Sequence, residues 1–434
     1  MGPRLDGIAK RHRAGVASSL SDQAQKRRRI AAPSAAGAGK AISSRRPRQT
    51  PQRKEQHLRS DPPVATAGKL KDCGSLSLRT PEGWHLPNVV CSYGFCMLAP
   101  VLWEPVQGRG KGGVLYRPLR LLSGSVLHAE FRQRGRRLCI SFRCRLPEVA
   151  ACRRRLRHVA ELDHLRQQVQ RMLRLSPLDA TVVAGFHALH PRARREGFGR
   201  LFRSPSLWED IVKTVLLCNC GWTRSLTMAE RLCSLVGADG DCPTPSELAA
   251  APLASLRRAG LGYRAGRLRK LAAAAVACNL RPEEMCGSER PLAALRRMAA
   301  ASPGAPSTAS AFSAGASQAG LRGEAAELYR AARALHGFGD FAARNLLQLC
   351  GEYSAVAADS ETARHLRACR GVPTEKLATA AAVGAAAQRA YRRYGRFRQL
   401  AYWWELWRGY EALHGPVERM RREDYAKCCR TPVT

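Results

Sequence analysis

Leu335-His336-Gly337-Phe338-Gly339-Asp340-Phe341-Ala342-Ala343 is the stretch on which the reading turns. An amphipathic segment, Ala325 to Leu335, precedes it, and Asn345 to Cys350 continues a helix after it. Apolar periodicity on both sides of a short turn carrying Gly337 and Gly339 predicts a helix–hairpin–helix. Glycine removes Cβ where the backbone bends sharply, and the free N–H groups opening the second helix can hold one phosphate. Taken alone, such a turn also suits an ordinary helical hairpin. Eighteen positions after Phe341 comes Asp359, in Ala357-Ala358-Asp359-Ser360-Glu361-Thr362. Aspartate before such a run is a common helix N-cap, and a helix N-terminus favours the ionised carboxylate. That is the group an oxocarbenium-like sugar cation needs beside it.

Hairpin and aspartate together resemble the helix–hairpin–helix (HhH-GPD) DNA glycosylases of base excision repair, in which they keep this spacing. The resemblance implies that Asp359 supports C1′–N cleavage and helps position or activate water. Family members that also cut the backbone carry a nucleophilic lysine two residues after the hairpin's last glycine. Phe341 stands there and cannot form a Schiff base, so a glycosylase without lyase activity is expected. Leu201-Phe202-Arg203-Ser204-Pro205 through Trp222-Thr223-Arg224, ending in Glu230-Arg231-Leu232-Cys233, looks like the helix pair of the 8-oxoguanine enzymes. There the resemblance gives Asn219 the gap left by a flipped base and Arg224 the orphaned partner base. The family's second asparagine is Cys220 here. Gly260-Leu261-Gly262-Tyr263-Arg264-Ala265 is similar to the same family's turn whose tyrosine wedges into the duplex; an inserted ring partly restores the stacking lost on extrusion. Gln399 and Trp403 fall where those enzymes read the base's Watson–Crick edge and stack on its face. Their alternative is an inward-packed helix with Leu400, Trp404 and Trp407. Residues 197–222 and 358–366 look nearest to a plant and green-algal branch.

Outward from these motifs, composition sets the frame. The 434 residues carry 72 Lys+Arg against 34 Asp+Glu, a net charge of +38. Arginine, alanine and glycine richness fits a GC-rich genome, but the size of the excess points to a polyanion, and nucleic acid suits it best. Apolar runs fall short of a membrane span, and a secretory signal is not expected. The sixteen cysteines include no C-x-x-C pair, and neither Cys218/Cys220 nor Cys428-Cys429 has zinc or iron–sulfur spacing. Reduced thiols and no metal or cofactor are expected.

Residues 1–66 lack any aromatic residue and read as a disordered basic tail. Lys10-Arg11 and Lys26-Arg27-Arg28-Arg29 suggest nuclear import, with a mitochondrial or chloroplast transit peptide as the alternative. Residues 80–145 hold short β-prone runs, among them Val89-Val90-Cys91, Phe95-Cys96-Met97-Leu98 and Leu138 to Phe142, and predict an antiparallel sheet. A helical lobe over 146–301 follows, with Leu162, Leu165, Val169, Met172 and Leu173 on one helix face. Thr244-Pro245-Ser246-Glu247 is a capping box whose helix Gly260 can end. A low-complexity insertion covers 302–320, the hairpin and Asp359 lobe 321–412, and a C-terminal tail 413–434. The fold expected is α+β, mainly α: an antiparallel sheet followed by a two-lobed helical body. Its function would be excision of an oxidised or alkylated purine from double-stranded DNA by a monomer. The alternatives are a non-catalytic hairpin protein that binds DNA and, more remotely, an RNA-binding module.

Overall fold

The computed structural model describes residues 69–106, 112–287, 291–302 and 321–428. The basic segment 1–66 with its Lys10 and Lys26 clusters, positions 303–320 of the insertion, and residues 429–434 lie outside the described residues. Five strands form one antiparallel sheet: β1 (Leu70–Arg79), β2 (Leu102–Pro105), β3 (Gly113–Arg120), β4 (Val126–Arg134) and β5 (Arg137–Arg145). Their order is β1-β5-β4-β3-β2. Phe131, Leu138, Ile140 and Phe142 point into the core while Arg132, Arg137 and Ser141 face water, the period-two alternation of a half-buried sheet.

Two expectations for this region are corrected. Val89-Val90-Cys91 and Phe95 to Leu98 are not strands: Leu86–Val90 is a short α-helix with proline in its first turn, and Gly94–Met97 is a 3-10 turn. This run is buried on nearly every side, so it lacks the alternation that separates a strand from a buried helix. The sheet also begins earlier than residue 80. Strand β1 has a broken apolar pattern and a bulge between Asp72 and Gly74, and its pairing with β5 supplies the order its own sequence does not announce.

The helical body is built on α1 (Val159–Met172), α2 (Pro177–Leu189), α3 (Leu207–Leu217), α4 (Trp222–Leu235), α5 (Arg264–Ala277), α6 (Gly323–Ala334), α7 (Asp340–Leu349), α8 (Ser360–Arg370) and α9 (Arg398–His414). The Thr244–Glu247 capping box forms as expected, but its helix stops at Ala250. Pro252 forces Ala251 into extended backbone, a second helix spans Leu253–Arg258, and Gly260 (φ +80°) ends that one. Sheet and helices share one hydrophobic core, running from Phe131 and Ile140 through Leu165 and Ile211 to Leu346 and Trp407. Residues 413–428 do not form a free tail. Met420, Tyr425 and Cys428 are buried, and the Trp103 indole donates to Glu418 O at 2.9 Å. Among the described residues no helix is long and apolar enough to cross a membrane.

Helix α3 is fastened by charge. Glu209 meets Arg117 of β3 at 3.0 Å and Lys213 at 2.8 Å. Burial raises the Glu209 carboxyl, but the two cations outweigh it and hold the pKa at about 2. One residue on, Asp210 pairs with Arg171 of α1 at 2.6 Å and accepts the Ser204 N–H at 2.9 Å. These bonds fix the helix whose C-terminus delivers Asn219.

Candidate active site and DNA interface

Three separated segments meet at the end of α3. Asn219 follows the helix with φ +51°, a left-handed conformation that asparagine accepts more readily than most residues, and its side chain is exposed. Its amide donates to the Tyr263 hydroxyl at 3.4 Å. Tyr263 opens α5 behind Gly260 and Gly262 and is 53 % exposed. The guanidinium carbons of Arg264 and Arg267 stand 4.6 and 5.2 Å from its ring centre. Arg264 also donates to Asn219 O at 3.1 Å. Arg224 is exposed in the first turn of α4, with its Nη2 3.9 Å from where a Cβ on Gly262 would lie. Asn219, Arg224 and Tyr263 thus share one surface.

The hairpin adjoins that surface through Arg267. Gly337 has φ +78°, and a Cβ there would stand 2.2 Å from Arg267 Nε. Gly339 caps α7, whose first N–H groups have no intrahelical partner. Asp340 is turned away to Tyr329 and Arg344, the latter at 2.9 Å. Burial, then Lys270 and Arg267, push the His336 imidazole pKa down, so the cationic face of α5 stands beside the turn. One assignment changes: Phe338 is 4 % exposed, a core plug whose carbonyl accepts from Arg333, so its side chain is not a DNA contact. Gly337→Ala combines left-handed strain with a forced shift of Arg267, about 1–3 kcal/mol in all. Weaker duplex binding and a lower Tm are expected; fluorescence anisotropy at fixed salt and a thermal melt check them, and unchanged values in both would contradict the packing described.

Asp359 is exposed at the N-cap of α8. Its Oδ1 accepts from the Thr362 N–H at 2.9 Å and the Thr362 hydroxyl at 3.0 Å, and Oδ2 takes part in neither bond. The Thr362 hydroxyl lies 2.8 Å from that of Tyr402. Crowding by surrounding protein raises the Asp359 pKa above the ordinary aspartate value in spite of the Thr362 hydrogen bonds. Its charge is felt at Tyr93 and Tyr402, both raised first by burial. Trp403 is half-buried; its indole donates to Ser92 O at 2.8 Å and its ring leans on Tyr93 at 4.8 Å between centroids. The same ring stacks on Trp407 at 5.5 Å between centroids.

Gln399 does not fit its expected part. It is 1 % exposed, its Oε1 accepts the Ala357 N–H at 2.9 Å, and its Nε2 donates to Gln348 at 2.7 Å. No free amide edge is left for a base, which corrects the pocket assignment. Sequence reasoning passed over Tyr93, Asn345 and Gln348, because Tyr93 lies 252 positions from Asn345, its hydrogen-bond partner at 2.6 Å. It also passed over Thr362 and Arg267, although the third and fourth positions after a cap and a wedge residue were the places to look. Among the described residues no group of three or more His, Cys, Asp or Glu side chains is placed to hold a metal ion.

A family model described as HhH-GPD superfamily base excision DNA repair protein matches residues 212–395, a span holding Asn219, Tyr263, the hairpin and Asp359 but ending before Gln399. Over that span the chain is similar to this superfamily of base excision DNA repair proteins. Among solved structures it is similar to the 8-oxoguanine glycosylase/lyase of Clostridium acetobutylicum in its apo-form (12 % identity, 77 % of this chain and 98 % of that one, TM-score 0.46). It is similar also to MBOgg1 in complex with a low affinity DNA ligand (13 %, 79 % and 98 %, 0.47). A third is the 3-methyladenine DNA-glycosylase of Archaeoglobus fulgidus (16 %, 76 % and 97 %, 0.48). No curated protein matches the chain.

Proposed function

We propose that the protein is a DNA N-glycosylase that extrudes a damaged purine and hydrolyses its bond to deoxyribose. The observation that carries this reading is the exposed Asp359 carboxylate, held by its capping box within the family-matched span. An ionised carboxylate there stabilises positive charge developing on the sugar and orients water for attack at C1′. The hairpin and the cationic face of α5 grip phosphate without reading sequence. Asn219 and Tyr263 fill the stack after extrusion, Arg224 faces the partner strand, and the half-buried Trp403 ring stacks on the purine. Phe341 brings no amine to the position two residues after Gly339, which supports hydrolysis without strand cleavage.

The test incubates the full chain with duplexes carrying oxidised or alkylated purines and follows free base, abasic strand and nicked strand separately. Release of base with an intact abasic strand is expected, and no adduct on borohydride treatment. A borohydride-trapped adduct would overturn the monofunctional reading. Duplex binding without base release from any lesion would favour a non-catalytic hairpin protein.

A further inference from the structure

We propose that Gln399 is a positioning residue: its amide fixes the 355–358 segment that delivers Asp359 and ties it to the aromatic wall at Tyr93 and Trp403. This rests on the reading of Asp359 as the group that serves the sugar. The orientation of the whole network follows from one backbone atom. Ala357 N–H can only donate, so the Gln399 oxygen must face it, at 2.9 Å. The Gln399 side-chain nitrogen then faces Gln348 Oε1 at 2.7 Å. This turns the Gln348 nitrogen onto the Tyr93 hydroxyl at 3.0 Å and Asn345 Oδ1 at 2.7 Å. Asn345 in turn donates to Thr214 Oγ1 of α3 at 3.0 Å. No alternative amide assignment satisfies that end, so the network has one polarity and one geometry.

Every side chain in it is buried and neutral. It therefore orders the site without adding charge that would compete with Asp359. Helix α9 is held to the segment at a second point, where the Gln399 backbone N–H donates to Tyr353 O at 2.9 Å. Ala355, Val356 and Ala357 are buried, so the segment leaves the core only as it reaches Asp359. Tyr93, at the far end, is the ring against which Trp403 leans. One glutamine thus links the carboxylate's approach to the wall that would stack a base.

The experiment uses the full chain with Gln399→Leu, which breaks the anchor, and Gln399→Glu, which keeps the acceptor toward Ala357 and adds a like charge near Asp359. Hydrogen exchange over residues 351–360 is expected to quicken at least tenfold in Q399L relative to the sheet; unchanged exchange would overturn the anchoring whether or not the enzyme is active. Single-turnover excision at saturating duplex is expected to fall at least tenfold in Q399L, while the ratio of affinities for lesion and undamaged duplex stays within threefold. In Q399E the acid limb of the rate profile is expected to move to higher pH. A Q399L rate within twofold of wild type together with loss of lesion discrimination would make Gln399 a base reader instead. Should Q399L not fold, the pH profile of Q399E decides, an unmoved limb counting against the proposal. Wild-type chain inactive on every lesion would refute the glycosylase reading, and the exchange result would still judge the anchor.

Discussion

Replacing Asp359 by asparagine is expected to lower the single-turnover excision rate by about 10²–10⁴-fold, the range found when a positioned acid–base group is removed. The fold should survive the change. Asparagine caps helices about as well as aspartate, and its oxygen can still accept from the Thr362 N–H now bonded to Oδ1 at 2.9 Å. Crowding raises the Asp359 pKa, so the ionised side chain costs the folded state stability. The sign follows: stability from this group grows as pH falls through its folded pKa, and the neutral amide removes the cost at neutral pH. A Tm equal to or slightly above wild type is therefore expected beside the lost rate, with duplex affinity retained. The wild-type rate should fall on the acid side at a pH above the ~3.9 of an unperturbed aspartate. A rate profile and a melt for both proteins check these outcomes; equal rates would remove Asp359 from the chemistry.

Asp210→Ala is expected to cost about 3–5 kcal/mol of stability, since it leaves one member of a buried pair without its counter-charge. Asp210 is wholly inaccessible and bonds Arg171 at 2.6 Å, whose own side chain is 2 % exposed. It also takes the Ser204 N–H. Removing it strands a guanidinium and a backbone donor where water does not reach. Because α3 carries Asn219 at its end, the surviving folded protein should also bind duplex more weakly. Urea unfolding monitored by tryptophan fluorescence measures the loss. A change under 1 kcal/mol would mean that Arg171 finds another partner.

Local motifs announced themselves in the sequence because short-range rules make them. The hairpin is written in Gly337 and Gly339, the Asp359 cap in its Ser-Glu-Thr follow-on, and the wedge turn in Gly260 and Gly262. Each of these needs a residue type that few others can replace. Contacts across long sequence distance were not legible. Nothing near Gln399 tells that its amide faces Ala357, or that Tyr93 closes the other end of that network. The buried run 86–97 carried no alternation, so its helical turns read as strands. Strand β1 failed the other way: its order comes from β5, not from its own pattern. Phe338 shows the same limit on a smaller scale, since a motif places the residue while packing decides that its ring turns inward.

The most direct measurement is chromatographic detection of free base after incubating wild-type chain and its Asp359→Asn variant with duplexes bearing single oxidised or alkylated purines. Stoichiometric release by wild type, with release by the variant reduced at least a hundredfold at equal duplex occupancy, is the predicted result. Equal release by both proteins, or binding to every duplex with no base set free, would contradict the role given to Asp359.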